Sequence, residues 1–520
     1  MPRFSIITPV YEPPHEAFES CIDSVLGQTN TDWEWCLCND ASPSTWVAER
    51  LARLQASDSR VRVVTRPTNG GIVAASNDAI ASATGDFLVL LDNDDELRLD
   101  ALQLVSTALD VAPDTDYLYS DEDKIAPTGE RFDEFQKPIW SPERLLAQNY
   151  TSHLSVMRRV LVDEVGRFRS GFDGSQDYDL VLRVIERARR ITNVPEVLYH
   201  WRALPTSTAS AAAAKPYAFV AALRAVREHL ERSGIQAEVT EAGPSLARVQ
   251  RRSLHHPFVS IVIVADGATE RIYGVSRHLG YHIVSAVVER STYRNFELVV
   301  VVPSTMSTEQ QDELLRRADG RGRLVQVAAD ASLAHSLNAG LIAAKGECVA
   351  FIDQHCELID TNWIEVLLGY LDRASVALVA PLLLDEYGVV HSAGLGLNPE
   401  PHHIAHGCLP TDLGPVGMFA IARECFGVST ACVLAKASAL RVVGGFSPDY
   451  SGRTFDYDLA CKLQQHDLHA MVTPLVTVRY LGTDASAADD LITFKQRWGR
   501  LVGSDPYTRI DTRMVVAATL

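Results

Sequence analysis

Positive charge is scarce in this chain. Forty-eight lysines and arginines face 66 aspartates and glutamates, for a formal net charge of −18. That balance excludes a broad nucleic-acid surface and general attraction to anionic lipid, although it permits a local basic patch. Long apolar runs are also missing: none approaches the ~20 residues that cross a bilayer. Met1-Pro2-Arg3 leads straight into Phe4-Ser5-Ile6-Ile7, which is not the layout of a secretory leader. The nine cysteines are odd in number and have no framework spacing. Cys36 and Cys38 would share one face of a strand and could not easily bridge. The expectation is reduced thiols in a cytoplasmic protein without a transmembrane segment, with peripheral contact at the inner face of the membrane left open.

The chain does contain enough for more than one core. It has 520 residues, 47% of them hydrophobic and 22% charged, the proportions of a globular protein with two or more domains. Strands at Phe4–Val10, Trp33–Cys38, Val61–Val64 and Phe87–Leu91 alternate with segments of helical period. That alternation predicts βαβ units and an α/β fold with a mostly parallel sheet. Helices are expected near 97–112 and 215–233, and residues 126–150 read as loop. The acidic run Asp121-Glu122-Asp123 reads as a solvated loop more readily than as a site.

Phe87-Leu88-Val89-Leu90-Leu91 runs into Asp92-Asn93-Asp94-Asp95. Five apolar residues without alternation suit a strand buried on both faces, and ligands bind at the carboxyl ends of such strands. Adjacent carboxylates repel unless a cation lies between them, and hard oxygen ligands suit Mg²⁺ or Mn²⁺. A solvated acidic turn would fit the tetrapeptide equally well. Asn39-Asp40 ends the second strand in the same way, and Asn69-Gly70-Gly71 opens a helix after the third. Asp177 precedes a helix and could serve there as a cap.

The pattern then repeats. Val259–Val264 echoes the first strand, and Asn338, Gly346 and Asp353 recur with the spacing of Asn77, Gly85 and Asp92. Asp456-Tyr457-Asp458-Leu459 repeats Asp177-Tyr178-Asp179-Leu180. Order and spacing indicate two copies of one domain. The expected layout is 1–210, a helical linker at 211–256, a second domain at 257–485 and a tail at 486–520. Asp353-Gln354-His355-Cys356 keeps one carboxylate where the first copy has three, so the second copy reads as degenerate. The triplet His402, His403, His406 lacks evident carboxylate partners for a metal.

Taken together, the ordered set resembles the family-2 glycosyltransferases of GT-A fold: Pro9-Val10-Tyr11, Asn39-Asp40, Asn69-Gly70-Gly71, Asp92-x-Asp94-Asp95 and Gln176-Asp177. Lys137-Pro138-Ile139-Trp140-Ser141-Pro142 and Tyr199-His200-Trp201-Arg202 are similar to a subgroup that assembles O-antigen and other surface polysaccharides. The resemblance covers 4–209 closely and 257–483 more loosely. It implies two tandem GT-A-like domains and a nucleotide sugar across the carboxyl ends of the first strands, near Pro9, Tyr11, Glu12, Asp40, Asn69, Asp92 and Asn93. It also implies Mn²⁺ or Mg²⁺ held by Asp94 with His200 close by, and Asp177 as general base of an inverting transfer. Gln176 stands where the family commonly has Glu. The implied acceptor is a glycan or lipid-linked glycan. Rival readings are a nucleotidyltransferase, whose glycine- and arginine-bearing loop is absent after the first strand, a bifunctional transferase with both copies active, and a non-catalytic binding scaffold.

Overall fold

The computed structural model describes residues 1–203, 216–483 and 488–512. The Ala/Ser-rich stretch Ser207–Ala214 and the expected boundary at 210 lie outside the described residues. The chain forms two compact units. One comprises Met1–Trp140, Gln148–Ile235 and Val239–Ala247; the other comprises Ser141–Ala147, Gln236–Glu238 and Arg248–Leu520.

In the first unit the elements run β1 (Phe4–Val10), α1 (His15–Leu26), β2 (Trp33–Asn39), α2 (Thr45–Ser57), β3 (Val61–Thr65), α3 (Gly71–Ser82), β4 (Phe87–Leu90), β5 (Glu96–Leu97), α4 (Ala101–Val111), β6 (Thr115–Ile125) and β7 (Arg131–Phe135). After α5 (Pro142–Ala147), which belongs to the second unit, come β8 (Ser155–Arg158), α6 (Arg159–Glu164), α7 (Gln176–Ile185), β9 (Arg190–Arg202) and α8 (Pro216–Arg232). The sheet order is β3-β2-β1-β4-β8-β6-β9-β5, with β7 on β6. Strands β3, β2, β1 and β4 are parallel, and β8 enters antiparallel between β4 and β6. Phe4, Ile6, Trp35, Leu37 and Val89 face the core shared with Phe18, Ile22, Val25, Leu102 and Val105 of α1 and α4. Burial of both sheet faces explains the uninterrupted apolar runs.

Two expectations need correction. Residues 126–150 are not all loop, since they contain β7 and α5. Asp121-Glu122-Asp123 is not a solvated loop but part of β6, and all but Asp123 are buried. Their charges are met inside the fold. Lys137, fully buried, pairs through Nζ with Glu122 at 2.9 Å, and its N–H donates to Asp121 at 2.8 Å.

The second unit repeats this plan. Its sheet runs Gly322–Val327, Phe296–Pro303, Val259–Val264, Cys348–Ile352, Cys432–Lys436, Val376–Leu384, His469–Tyr480 and Cys356–Leu358, in the same order and directions as the first. Its core lies on both sheet faces, around Ile261, Leu298 and Trp363 on one side and Val262, Val301 and Phe455 on the other. All nine cysteines are buried and free, and no described helix is long and apolar enough to cross a membrane.

One buried carboxylate ties the parallel strands together. Ser5 Oγ donates to Glu34 Oε1 at 2.7 Å, the Gly85 N–H donates to the same oxygen at 3.0 Å, and Arg62 pairs with Glu34 at 2.8 Å. Gly85 is required by proximity, because a Cβ there would lie 2.9 Å from the Ser5 nitrogen. Burial alone would raise the pKa of Glu34, but the hydrogen bonds from Ser5 and Thr84 and the charge of Arg62 hold it below the ordinary range. We expect Glu34→Ala to cost about 3 kcal/mol, since it strands buried donors and a cation. Its native pKa is depressed, so the Glu34 contribution is complete above the ordinary carboxylate range and is lost as pH falls through the lower native value. Urea unfolding at pH 7 and at acid pH should show a gap between variant and wild type that closes in acid.

Candidate active site

The carboxyl ends of β1, β2 and β4 open on a cleft of about 400 Å³, lined by Pro9, Tyr11, Asp40, Asn69, Gly71, Asp92, Asn93 and Asp94 among others. Seven of the ten residues expected at the site therefore share one cavity. The parallel register explains this convergence. Val10 pairs with Asn39, and Ile7 pairs with Leu90, so residues just beyond each strand emerge on one edge.

Asp40 is almost fully buried. Its two oxygens accept the N–H groups of Gly70 and Gly71, each at 2.8 Å, and Arg66 Nε lies 3.0 Å away. Asp40 thus builds the turn that opens α3, with Gly71 at φ 78°, and shapes the cleft wall. Asn69 accepts the Gly71 N–H and donates to the Asp40 carbonyl. Asn93 is anchored through Nδ2 to the Pro9 carbonyl at 3.1 Å. Tyr11 is half exposed at the mouth. Glu12 lies outside the lining. Its carboxylate accepts the Ser44 N–H at 2.9 Å and holds the start of α2.

The acidic turn is more deeply embedded than a solvated loop would be. Asp95 is buried, with Oδ2 accepting from the Tyr199 hydroxyl at 2.5 Å and Oδ1 from the Arg202 N–H at 2.7 Å. Arg202 Nε also donates to the Asp94 carbonyl at 2.8 Å. Burial, then the charges of Asp94 and Asp177, push Asp92 up to about 7. Burial also raises Asp94, and burial with Asp94 and Asp92 raises Asp95 well above its ordinary range.

Asp92, Asp95 and His153 each bring a ligand atom within 4.8 Å of the others. Sequence reading did not single out His153. It lies far along the chain and reaches the acidic turn only because β8 runs antiparallel to β4, with Leu90 opposite Ser155. Its ring stacks on Tyr199, with centroids 4.4 Å apart and planes at 8°. Burial lowers its pKa and favours the neutral imidazole that ligates metals. Two oxygens and a neutral nitrogen form a donor set that suits a divalent transition ion. His200 instead has Nδ1 2.6 Å from Asp123. Asp177, in the first turn of α7, accepts from Asn149 Nδ2 at 3.1 Å and is close enough to the cluster to raise Asp92.

The crowding has a measurable consequence. A carboxyl whose native pKa is raised is proton-linked: it costs the fold nothing below its unfolded value, and the penalty grows as pH rises through the native value. In chelator we expect Asp92→Asn to raise the thermal midpoint at pH 8 and to leave it nearly unchanged near pH 4. A midpoint that drops at pH 8 would contradict the like-charge account.

The sequence profile described as glycosyl transferase family 2 matches residues 5–166 and again 281–443. The uncharacterized protein y4gI of Sinorhizobium fredii is 35% identical over 514 residues, covering 96% of this chain and 55% of that protein. The O-antigen biosynthesis protein RfbC of Myxococcus xanthus is 31% identical over 484 residues, covering 91% of this chain and 37% of that protein. The chain thus spans about half or less of the length of these curated relatives. The crystal structure of S. aureus TarS 1-349 in complex with UDP-GlcNAc aligns over 44% of this chain and 66% of its own, at 19% identity and a TM-score of 0.37. The profile is met once in each unit and over more than half of the chain, and on that ground the chain belongs to glycosyl transferase family 2.

Proposed function

We propose that the first unit transfers a sugar, with inversion, from a nucleoside-diphosphate sugar to a hydroxyl of a glycan or lipid-linked glycan in surface polysaccharide assembly. The observation that carries the reading is the cleft itself. It gathers Pro9, Tyr11, Asp40, Asn69, Asp92, Asn93 and Asp94 at the carboxyl ends of parallel strands, beside a carboxylate cluster that lacks a counter-charge. The acceptor class follows the printed name of the Myxococcus relative.

In this reading Tyr11 and the Asp40-braced turn receive the nucleoside, and Asp92 and Asn93 orient the ribose and diphosphate. Asp94, with Asp92, Asp95 and His153, would hold Mn²⁺ or Mg²⁺; the donor set fits such an ion. Bound there, the ion supplies positive charge against the diphosphate leaving group. His200 stays with Asp123 and supports the strand edge beside the cleft. Asp177, held by Asn149, takes the proton of the acceptor hydroxyl as it attacks the anomeric carbon. A single base with no enzyme nucleophile gives direct displacement and inverted configuration.

General-base assistance contributes about 10²–10⁴-fold. Asp177→Asn should therefore lower kcat by roughly that factor while leaving nucleotide-sugar binding in place. Asp94→Asn should weaken metal-dependent donor binding itself. Turnover of nucleotide sugars with Mn²⁺, read alongside ligand-induced thermal protection, separates the two. Full activity in both variants would sink the assignment.

A further inference from the structure

The two sheets share order and register, so the second unit can be compared with the first position by position. Ile7 pairs with Leu90 and Leu90 with Ser155; in the second unit Val262 pairs with Phe351 and Phe351 with Val433. Asp353 therefore stands where Asp92 stands, Cys356 where Asp95 stands and Ala431 where His153 stands. Two of the three residues that come together in the first unit have lost their oxygen or imidazole ligand. The thiol of Cys356 donates to the Ala431 carbonyl at 3.2 Å. The donor set of the second unit does not fit the divalent ion that the family implies.

A different cation is already there. Arg453 lies three residues before Asp456 in the repeated Asp-Tyr-Asp-Leu, the position that Gly174 holds before Asp177. Its Nη2 pairs with Asp353, its Nη1 donates to Thr430 Oγ1 at 2.8 Å, and its Nε reaches the Tyr480 hydroxyl at 3.4 Å. The side chain is only 8% exposed. His355 Nδ1 lies 2.7 Å from the other oxygen of Asp353, and the Thr430 N–H donates to Asp456 at 3.0 Å. Asp353 is thus held between a guanidinium and an imidazole. Although burial would raise it, the charge of Arg453 and the bonds from His355 pull it below its ordinary value, the reverse of Asp92. A divalent ion entering here would meet a buried like charge.

We propose that Arg453 is the resident cation of the second unit. The strand-end site of that unit is built to work or to rest without a divalent metal, and any metal binding by the chain resides in the first unit. The claim rests on the family reading of the first unit only for its positive control. Two measurements on the full chain test it. The first is equilibrium dialysis against Mn²⁺ at 150 mM salt, where screening suppresses diffuse binding to an acidic chain. The double variant Asp353→Asn/Arg453→Gln should bind as many Mn²⁺ ions as wild type, and Asp92→Asn/Asp94→Asn should bind fewer. Loss of an ion in the Asp353→Asn/Arg453→Gln protein would overturn the proposal.

The second measurement is a double-mutant cycle in thermal midpoint with Asp353→Asn and Arg453→Gln, all in EDTA. Each single change should lower the midpoint by more than half of what the double change does, because each leaves its partner buried and unpaired. Additive effects, or a wild-type protein stabilised by Mn²⁺ only while Asp353 is intact, would overturn it. Should wild type bind no Mn²⁺ at all, the metal reading of the first unit falls. The cycle then decides the second unit alone. Where a single variant does not fold, Arg453→Lys keeps the charge and takes its place in the cycle.

Discussion

Glu34 is the constraint on which the first unit depends. Its carboxylate is 3% exposed and joins Ser5 of β1, Thr84 and Gly85 at the entry to β4, and Arg62 of β3. Parallel strands slip easily where apolar side chains alone set their register, and a one-residue slip turns every side chain to the other face. A buried charge that finds its donors at only one register removes that freedom. The second unit repeats the device: Ser260 Oγ donates to Glu297 at 2.6 Å, the Gly346 N–H donates to Ser260 at 2.8 Å, and Arg323 pairs with Glu297 at 3.2 Å. Another tie also recurs. Asn77 brackets the backbone of Phe168 as Asn338 brackets that of Phe446.

With register held at the amino ends of these strands, their carboxyl ends arrive together. Asp40 and Asp92 are consequently neighbours across β2, β1 and β4, although Trp33–Asn39 and Phe87–Leu90 are separated by two helices and a strand. Asp40 spends its charge on the Gly70-Gly71 turn and Arg66. Asp92, Asp94 and Asp95 have no comparable cation, which is why burial and mutual repulsion raise all three. A site that stores repulsion in its free state is one that a cation relieves.

The second unit keeps the scaffold and rewrites the strand ends. The network that sets register survives nearly atom for atom, while the residues around Asp353 change to a thiol, an alanine and an arginine. Duplication followed by separate use of the two copies accounts for this pattern: packing constraints act on both units, and site chemistry is free to differ. The contrast also isolates what the acidic turn is for. Gln354, His355 and Cys356 end the equivalent strand without difficulty, so strand termination does not require the extra carboxylates of the first unit.

Much of this was legible without coordinates. Apolar runs such as Phe87–Leu91, glycines and caps between them, and the recurrence of Asn77, Gly85 and Asp92 as Asn338, Gly346 and Asp353 are local or periodic signals. They established the α/β class, the duplication and the strand-end residues of the parallel half, because a parallel βαβ chain brings successive carboxyl ends to one edge. What the sequence could not carry is contact made across antiparallel insertions and loops. His153 meets Asp92 and Asp95 only through the pairing of β8 with β4. The acidic run of β6 is buried because Lys137, more than ten residues on, folds back onto it. Arg453 meets Asp353 across a hundred residues of chain, and nothing in the local pattern of either announces the other. Sequence period determines which face of an element is apolar; only tertiary structure decides which charge each buried charge will meet.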